Sequence, residues 1–218
     1  MEKNAKRVLE YYVLCNKLKD VIRTGWKNWG VDRERVESVA EHVYGVQQLA
    51  LAMWSEYHYD VDINKVALML AIHELEETVI GDLTQFDISK KEKEEIGHKA
   101  VSKILSGLSM GDDIKSLILE FDKRESNEAY FAYMCDKLEC DLQCKLYDEE
   151  VCVDLDLQQE NKSYSDPTVQ KLLNEDKSWS EMWMEFGRLK YPYDKNFKEV
   201  SEYAEVNDLL PMKKLEKK

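Results

Sequence analysis

An all-α fold of about seven helices follows from three observations in the sequence. Apolar residues recur at spacings of three and four over long stretches, no convincing run of period-two alternation appears, and only three prolines and eight glycines interrupt 218 residues. That length suits one well-buried domain and is short for two.

The elements can be placed in order. A helix near residues 3–21 is followed by a loop, RTGWKNWGVDRERVE, unusually rich in Trp and Arg. The next helix, near 38–57, begins at Ser38-Val39-Ala40-Glu41, a capping box in which Ser and Glu stand three apart before an apolar run. A third, near 63–80, stops at Gly81, which suits the residue just past a helix end. Ser89-Lys90-Lys91-Glu92 repeats the capping box and opens a helix near 89–106. Helices near 111–122 and 127–150 follow, and Asp166-Pro167, a cap residue before a proline at the first helical position, opens one near 167–189. The expected organisation is one domain over residues 1–190 and a weakly patterned arm over 191–218, partly disordered, with a solvated basic tail MKKLEKK.

Composition narrows the function classes. Hydrophobic residues at 44% and aromatics at 10% belong to a folded protein rather than a disordered one. No apolar run approaches the roughly 20 residues of a membrane-spanning helix. The N-terminal MEKNAKRVLEYYVLC does not read as a signal peptide, so a cytoplasmic protein is expected. The net charge of −13 speaks against a nucleic-acid polymer, which needs a basic face, but leaves room for a small phosphorylated substrate. The five cysteines are odd in number, and four cluster in or just after one helical stretch, which reads as reduced thiols near a core. Cys140 and Cys144, one turn apart, could share a soft metal, although no CxxC pair supports this.

Three helices carry candidate chemistry. In the helix near 38–57 the apolar stripe is Val39, Val43, Val46, Leu49, Ala50 and Met53, and His42 falls in phase with it. Near 63–80, Val66, Leu70, His73, Glu77 and Ile80 follow 4-3-4-3 spacing, which sets an imidazole and a carboxylate where apolar residues belong. Glu74 lies about 100° further round and Glu76 is expected to face away. A buried Glu77 requires a cation or a proton, and either a metal or a salt bridge meets that requirement. Asp136 edges the stripe Phe131, Cys135, Leu138, Leu142 and Leu146. Two imidazoles and two carboxylates suit one borderline divalent ion such as Mn, Co, Fe, Ni or Zn, which lowers the pKa of water and polarises a phosphoryl oxygen. His58 falls at a helix end and His98 on a charged helix, so neither adds ligands for a second metal. The run KKEKEE reads as a solvated face.

The order His42, His73-Glu74, Asp136 resembles the H…HD…D signature of the HD-domain phosphohydrolases, and within them the YfbR-like 5′-deoxynucleotidase group. The similar stretches are KLKDVIRTGW, ESVAEHVYGVQQLALAM, LAIHELEETVIGDLT and MCDKLE, spanning roughly residues 17 to 140. The resemblance implies a helical bundle, usually dimeric, that hydrolyses deoxynucleoside 5′-monophosphates. It implies metal ligands at His42, His73, Glu74 and Asp136, and acids at Glu77 and Asp82 for water activation and leaving-group protonation. It also implies a phosphate-clamping Arg23, and a Trp26 that crowds the sugar 2′ position, with Trp29 the alternative aromatic. The sequence departs from the signature in having Glu74 where the pattern has Asp, one methylene longer at the same charge. Two other readings stay open: an HD-type hydrolase acting on another phosphomonoester, a cyclic nucleotide or a nucleoside polyphosphate, and a non-catalytic nucleotide-binding relative.

Overall fold

A computed structural model describes residues 2–84, 87–175 and 177–213. Among these residues the chain is helical, with eleven α-helices, three short 3-10 segments and no strand. The only β-type pairing among them is an isolated antiparallel bridge between Ile22 and Ser38. The helices are α1 (Glu2–Cys15), α2 (Thr24–Asn28), α3 (Val39–Tyr57), α4 (Ile63–Ile72), α5 (Glu77–Ile80), α6 (Lys90–Leu105), α7 (Gly111–Lys123), α8 (Asn127–Glu149), α9 (Pro167–Leu173), α10 (Trp179–Lys190) and α11 (Lys195–Val206).

The all-α expectation holds, but seven helices is too few. Two of the extra helices are single turns, α2 and α5, too short to show a period. Another comes from the stretch 167–189, which breaks between α9 and α10 where Ser178 caps a new helix through a box with Glu181. The segment expected as an arm contains α11, capped by the Asp194 carboxylate and buried through Phe197, Ser201 and Ala204. Residues 214–218, most of the basic tail, lie outside the described residues.

The chain divides into two compact units. The first comprises the chain up to Gly25 together with Glu37–Tyr133. In it α3 packs on α4, and α7 packs on both α4 and α6. The Gln47 side-chain amide donates to the carbonyl of Ala67 at 2.9 Å, tying α3 to α4. One apolar cluster holds Ile72, Leu75, Val101, Ile104, Leu105 and Ile118. Each such side chain fully removed from water contributes about 1.5–3 kcal/mol. Gly111 opens α7 against the backbone of Leu105, where a Cβ would collide with that carbonyl.

The second unit comprises Trp26–Val36 and the chain from Met134 onward. Its core gathers Trp26, Trp29, Tyr147, Val169, Leu172, Trp179, Met182 and Phe186. The Gln158 amide donates to the carbonyl of Trp29 at 3.0 Å, holding the tryptophan-rich segment inside this unit.

Candidate metal centre

Within the first unit the site begins with backbone pairing. The Arg23 amide donates to the carbonyl of Glu37 at 3.0 Å, and the Val39 amide to the carbonyl of Val21 at 2.8 Å. This short antiparallel pairing sets Arg23 beside the start of α3. There Ser38 Oγ accepts the Glu41 amide at 3.3 Å while Glu41 Oε2 accepts the Ser38 amide at 2.9 Å, the expected capping box. One turn further on, His42 is completely buried.

The His73-Glu74 pair sits where α4 tightens and stops. From Ile72 to Thr78 the backbone bonds Leu75 to Ile72, Glu77 to Glu74 and Thr78 to Leu75 run three residues back, not four. At the same point His73 Nδ1 lies 2.8 Å from the carbonyl of Leu70. A carbonyl can only accept, so Nδ1 carries the hydrogen and Nε2 presents its lone pair. His73 Nε2 is 3.8 Å from Glu74 Oε1, and His42 Nε2 is 3.9 Å from the same oxygen. The two imidazoles stand 5.5 Å apart. Ligand atoms of His42, His73 and Glu74 all lie within 4.8 Å of one another.

Two imidazole nitrogens and a carboxylate oxygen facing one point are a donor set for a borderline divalent ion, so the residues present fit a metal. The longer Glu74 side chain does bring its oxygen to both rings. Arg23 Nη1 lies 3.6 Å from that Oε1, with both side chains largely buried.

The acids that follow are also in place, with two corrections to the sequence reading. Glu77 is 1% exposed, and its Oε1 accepts from Lys93 Nζ at 3.0 Å. Burial, then the nearby charges of Glu74 and Asp82, push its carboxyl well above the usual range, against the pull of Lys93 and Arg23. Lys93 belongs to the run KKEKEE, whose residues Lys90, Lys91, Glu92 and Glu95 are exposed as the solvated face requires. Lys93 itself reaches inward and donates also to the carbonyl of Leu83 at 2.8 Å. The signal was available: Lys93, Gly97, Ala100 and Ile104 share 4-3-4 spacing, and the last three are buried or nearly so.

Glu76 is the second correction. The sequence expects it to face away, yet its Oε2 is buried without a hydrogen-bond partner among the described residues. The tightened backbone upsets the helical phase here, and the stem of Glu76 packs on Gly97, where a Cβ would sit 3.3 Å from Glu76 Cγ. Burial, then the charge of Glu74, push its carboxyl up to about 8. Asp82 Oδ2 accepts the Thr24 amide at 2.5 Å, and the Asp82 carbonyl accepts the Thr24 hydroxyl at 2.6 Å. The loop after α5 is thereby fastened to the residue next to Arg23.

The remaining sequence candidates lie on other elements. Asp136 lies on the part of α8 that belongs to the second unit, buried, with Oδ2 2.7 Å from Lys137 Nζ. Trp26 is 6% exposed and packs edge-on against Tyr147 and Trp179, at ring distances of 5.4 and 6.2 Å. Trp29 is buried in the same cluster. In that unit Arg33 is paired with Glu150 at 3.1 Å. His58 is exposed and ends α3 in the left-handed region. His98 Nε2 lies 2.7 Å from Asp122 Oδ2 in the first unit.

The chain resembles known proteins in sequence and in fold. Residues 15–175 match the model of the HD domain family. The chain is 34% identical over 150 residues to the 5′-deoxynucleotidase HDDC2 of Dictyostelium discoideum, covering 65% of this chain and 78% of that protein. It is 30% identical over 180 residues to the 5′-deoxynucleotidase hdd1 of Schizosaccharomyces pombe, covering 77% of this chain and 87% of that protein. A predicted metal-dependent phosphohydrolase of Magnetospirillum magnetotacticum shares the fold, with a TM-score of 0.61 at 21% identity over 93% of this chain and 91% of that one.

Proposed function

The chain belongs to the HD-domain family, and on that premise we propose that it is a metal-dependent phosphohydrolase that cleaves deoxynucleoside 5′-monophosphates to nucleoside and phosphate. The observation that carries the reading is the approach of His42 Nε2 and His73 Nε2 to one oxygen of Glu74, with the Arg23 guanidinium beside it. The names of the two relatives support the substrate class.

His42, His73 and Glu74 would hold one divalent transition metal, with Asp136 as the fourth ligand on the order of the motif and its burial. The metal would be Mn, Co, Fe, Ni or Zn. When bound, such an ion supplies Lewis-acid polarisation of the phosphoryl group and acidifies water. The protein's own groups do the rest. Arg23 is poised to take two phosphate oxygens with its planar fork. Glu77, with Oε1 held by Lys93 and Oε2 without a hydrogen-bond partner among the described residues, is the group to orient the attacking water and accept its proton. Asp82, whose Oδ2 accepts the Thr24 amide, is the acid that the family resemblance assigns to protonating the departing 5′-oxygen. Trp26 is the aromatic assigned to the sugar 2′ position.

The same reading takes residues 1–190 as the HD-type domain, 191–218 as an appended arm, and the protein as a cytoplasmic homodimer. Val8, Leu9, Tyr12 and Val13, exposed together on α1, offer an apolar face for such pairing. A nucleoside polyphosphate is disfavoured because Arg33, one of the few further cations in the Trp/Arg-rich loop, is engaged by Glu150.

Phosphate release measured over all deoxy- and ribonucleoside 5′-monophosphates, with Mn or Co added, tests the proposal. Turnover of the deoxy series is expected, and equal inactivity on every substrate would overturn it.

A further inference from the structure

We propose that Lys93 is a positioning residue of this site, holding Glu77 in its working orientation and fixing the loop that carries Asp82; the inference rests on the phosphohydrolase reading. Lys93 reaches the site from α6, whose first turn is fixed by the Ser89–Glu92 capping box and whose buried face includes Gly97, close against the stem of Glu76. An ammonium has three hydrogens to donate. Lys93 gives one to Glu77 Oε1 at 3.0 Å, on α5, and one to the carbonyl of Leu83 at 2.8 Å, in the loop that follows.

Both contacts have consequences for the chemistry. A carboxylate rotates about its last bond unless one oxygen is held, so the bond to Oε1 decides which oxygen of Glu77 is offered to water. That leaves Oε2, which is buried and has no hydrogen-bond partner among the described residues. The bond to Leu83 immobilises the neighbour of Asp82, and Asp82 holds Thr24 through both its carboxylate and its carbonyl. One cation thus links Glu77, Asp82 and the segment bearing Arg23. The second contact, to a loop carbonyl, ties the same cation to the segment that carries Asp82.

The partial burial of the cation fits this role. Burial opposes the charge of Lys93, but the carboxylates of Glu74 and Glu77 outweigh it and keep the ammonium protonated. Lys93→Met keeps an unbranched stem of similar length and removes the donors.

The test is a double-mutant cycle on phosphate release from deoxynucleoside 5′-monophosphates by the full chain loaded with Mn or Co. Lys93→Met is expected to lower kcat by about 10- to 100-fold, with KM and bound metal unchanged. Lys93→Gln is the second variant should the Met form not fold. In a Glu77→Gln background, Lys93→Met is expected to cost little further, because the group it positions is gone. An active wild type with kcat unchanged in Lys93→Met, or fully additive losses in the cycle, would overturn the inference and leave the phosphohydrolase reading intact. A wild type inactive on every substrate would overturn that reading and this inference together.

Discussion

His73 Nε2 lies 3.8 Å from Oε1 of Glu74, its neighbour in sequence. Adjacent residues of a regular α-helix point about 100° apart and do not face one another. They do so here because the backbone tightens to three-residue hydrogen bonds at this point and because glutamate has the length to fold back. With Glu74 in place of the family's Asp, a carboxylate oxygen still lies near both imidazoles.

Glu74→Asp is expected to retain metal binding, since it restores the family pair at the same charge. Glu74→Ala is expected to weaken metal affinity by more than the roughly 10–100-fold that loss of an outer partner of a ligand costs. Titration of each apo variant with Mn, followed by calorimetry, checks both. An alanine variant that binds as tightly as wild type would remove Glu74 from the site.

Arg23 is expected to act on binding rather than on folding, because its backbone is already fixed by pairing with Glu37. A hydrogen bond to a charged group is worth about 1.5–3 kcal/mol. Arg23→Ala should thus lower kcat/KM by about 10- to 100-fold, and Arg23→Lys should recover only part of it, because an ammonium lacks the planar fork. Steady-state kinetics on one deoxynucleotide decides the matter. A Lys variant with full activity would show that charge alone suffices.

Trp26 carries two expectations at once. Its packing against Tyr147 and Trp179 means that Trp26→Ala costs about 3–5 kcal/mol, so Trp26→Phe is the informative variant. If the ring also crowds the sugar, the preference for deoxy- over ribonucleotides in kcat/KM narrows by about tenfold in the Phe variant. An unchanged preference with a lowered Tm would reduce Trp26 to a core residue.

Asp141 predicts a pH dependence. It is buried, and the Tyr193 hydroxyl donates to its Oδ2 at 2.9 Å. Burial pushes its carboxyl well above the usual carboxylate range, despite Tyr193, Arg188 and Lys137. Because the folded value lies above the unfolded one of about 3.9, the stability it contributes is complete below that pH and is lost as pH rises through the folded value. Asp141→Asn keeps an acceptor for Tyr193 and is neutral throughout. Its Tm should gain on wild type between about pH 5 and about pH 8, and an equal difference at both pH values would contradict this.

Capping boxes and helical phase were legible from residues alone. Ser38, Ser89 and Asp166 all cap the helices expected of them, because a cap is a local event within four residues. His42, His73 and Glu77 were found by phase and are all buried. What stayed hidden was set by contacts distant in sequence. Glu76 turns inward because the helix tightens before it, and Lys93 turns inward because a carboxylate and a carbonyl await it on another segment. The single-turn helices α2 and α5 carry too few residues to show any period.

The most direct test of the metal centre is the metal content of the purified protein after chelation and reconstitution with Mn or Co, measured for wild type and for His73→Ala. About one equivalent in wild type and its loss in the variant are expected for a mononuclear site. Wild-type protein that retains no metal after reconstitution would contradict the account.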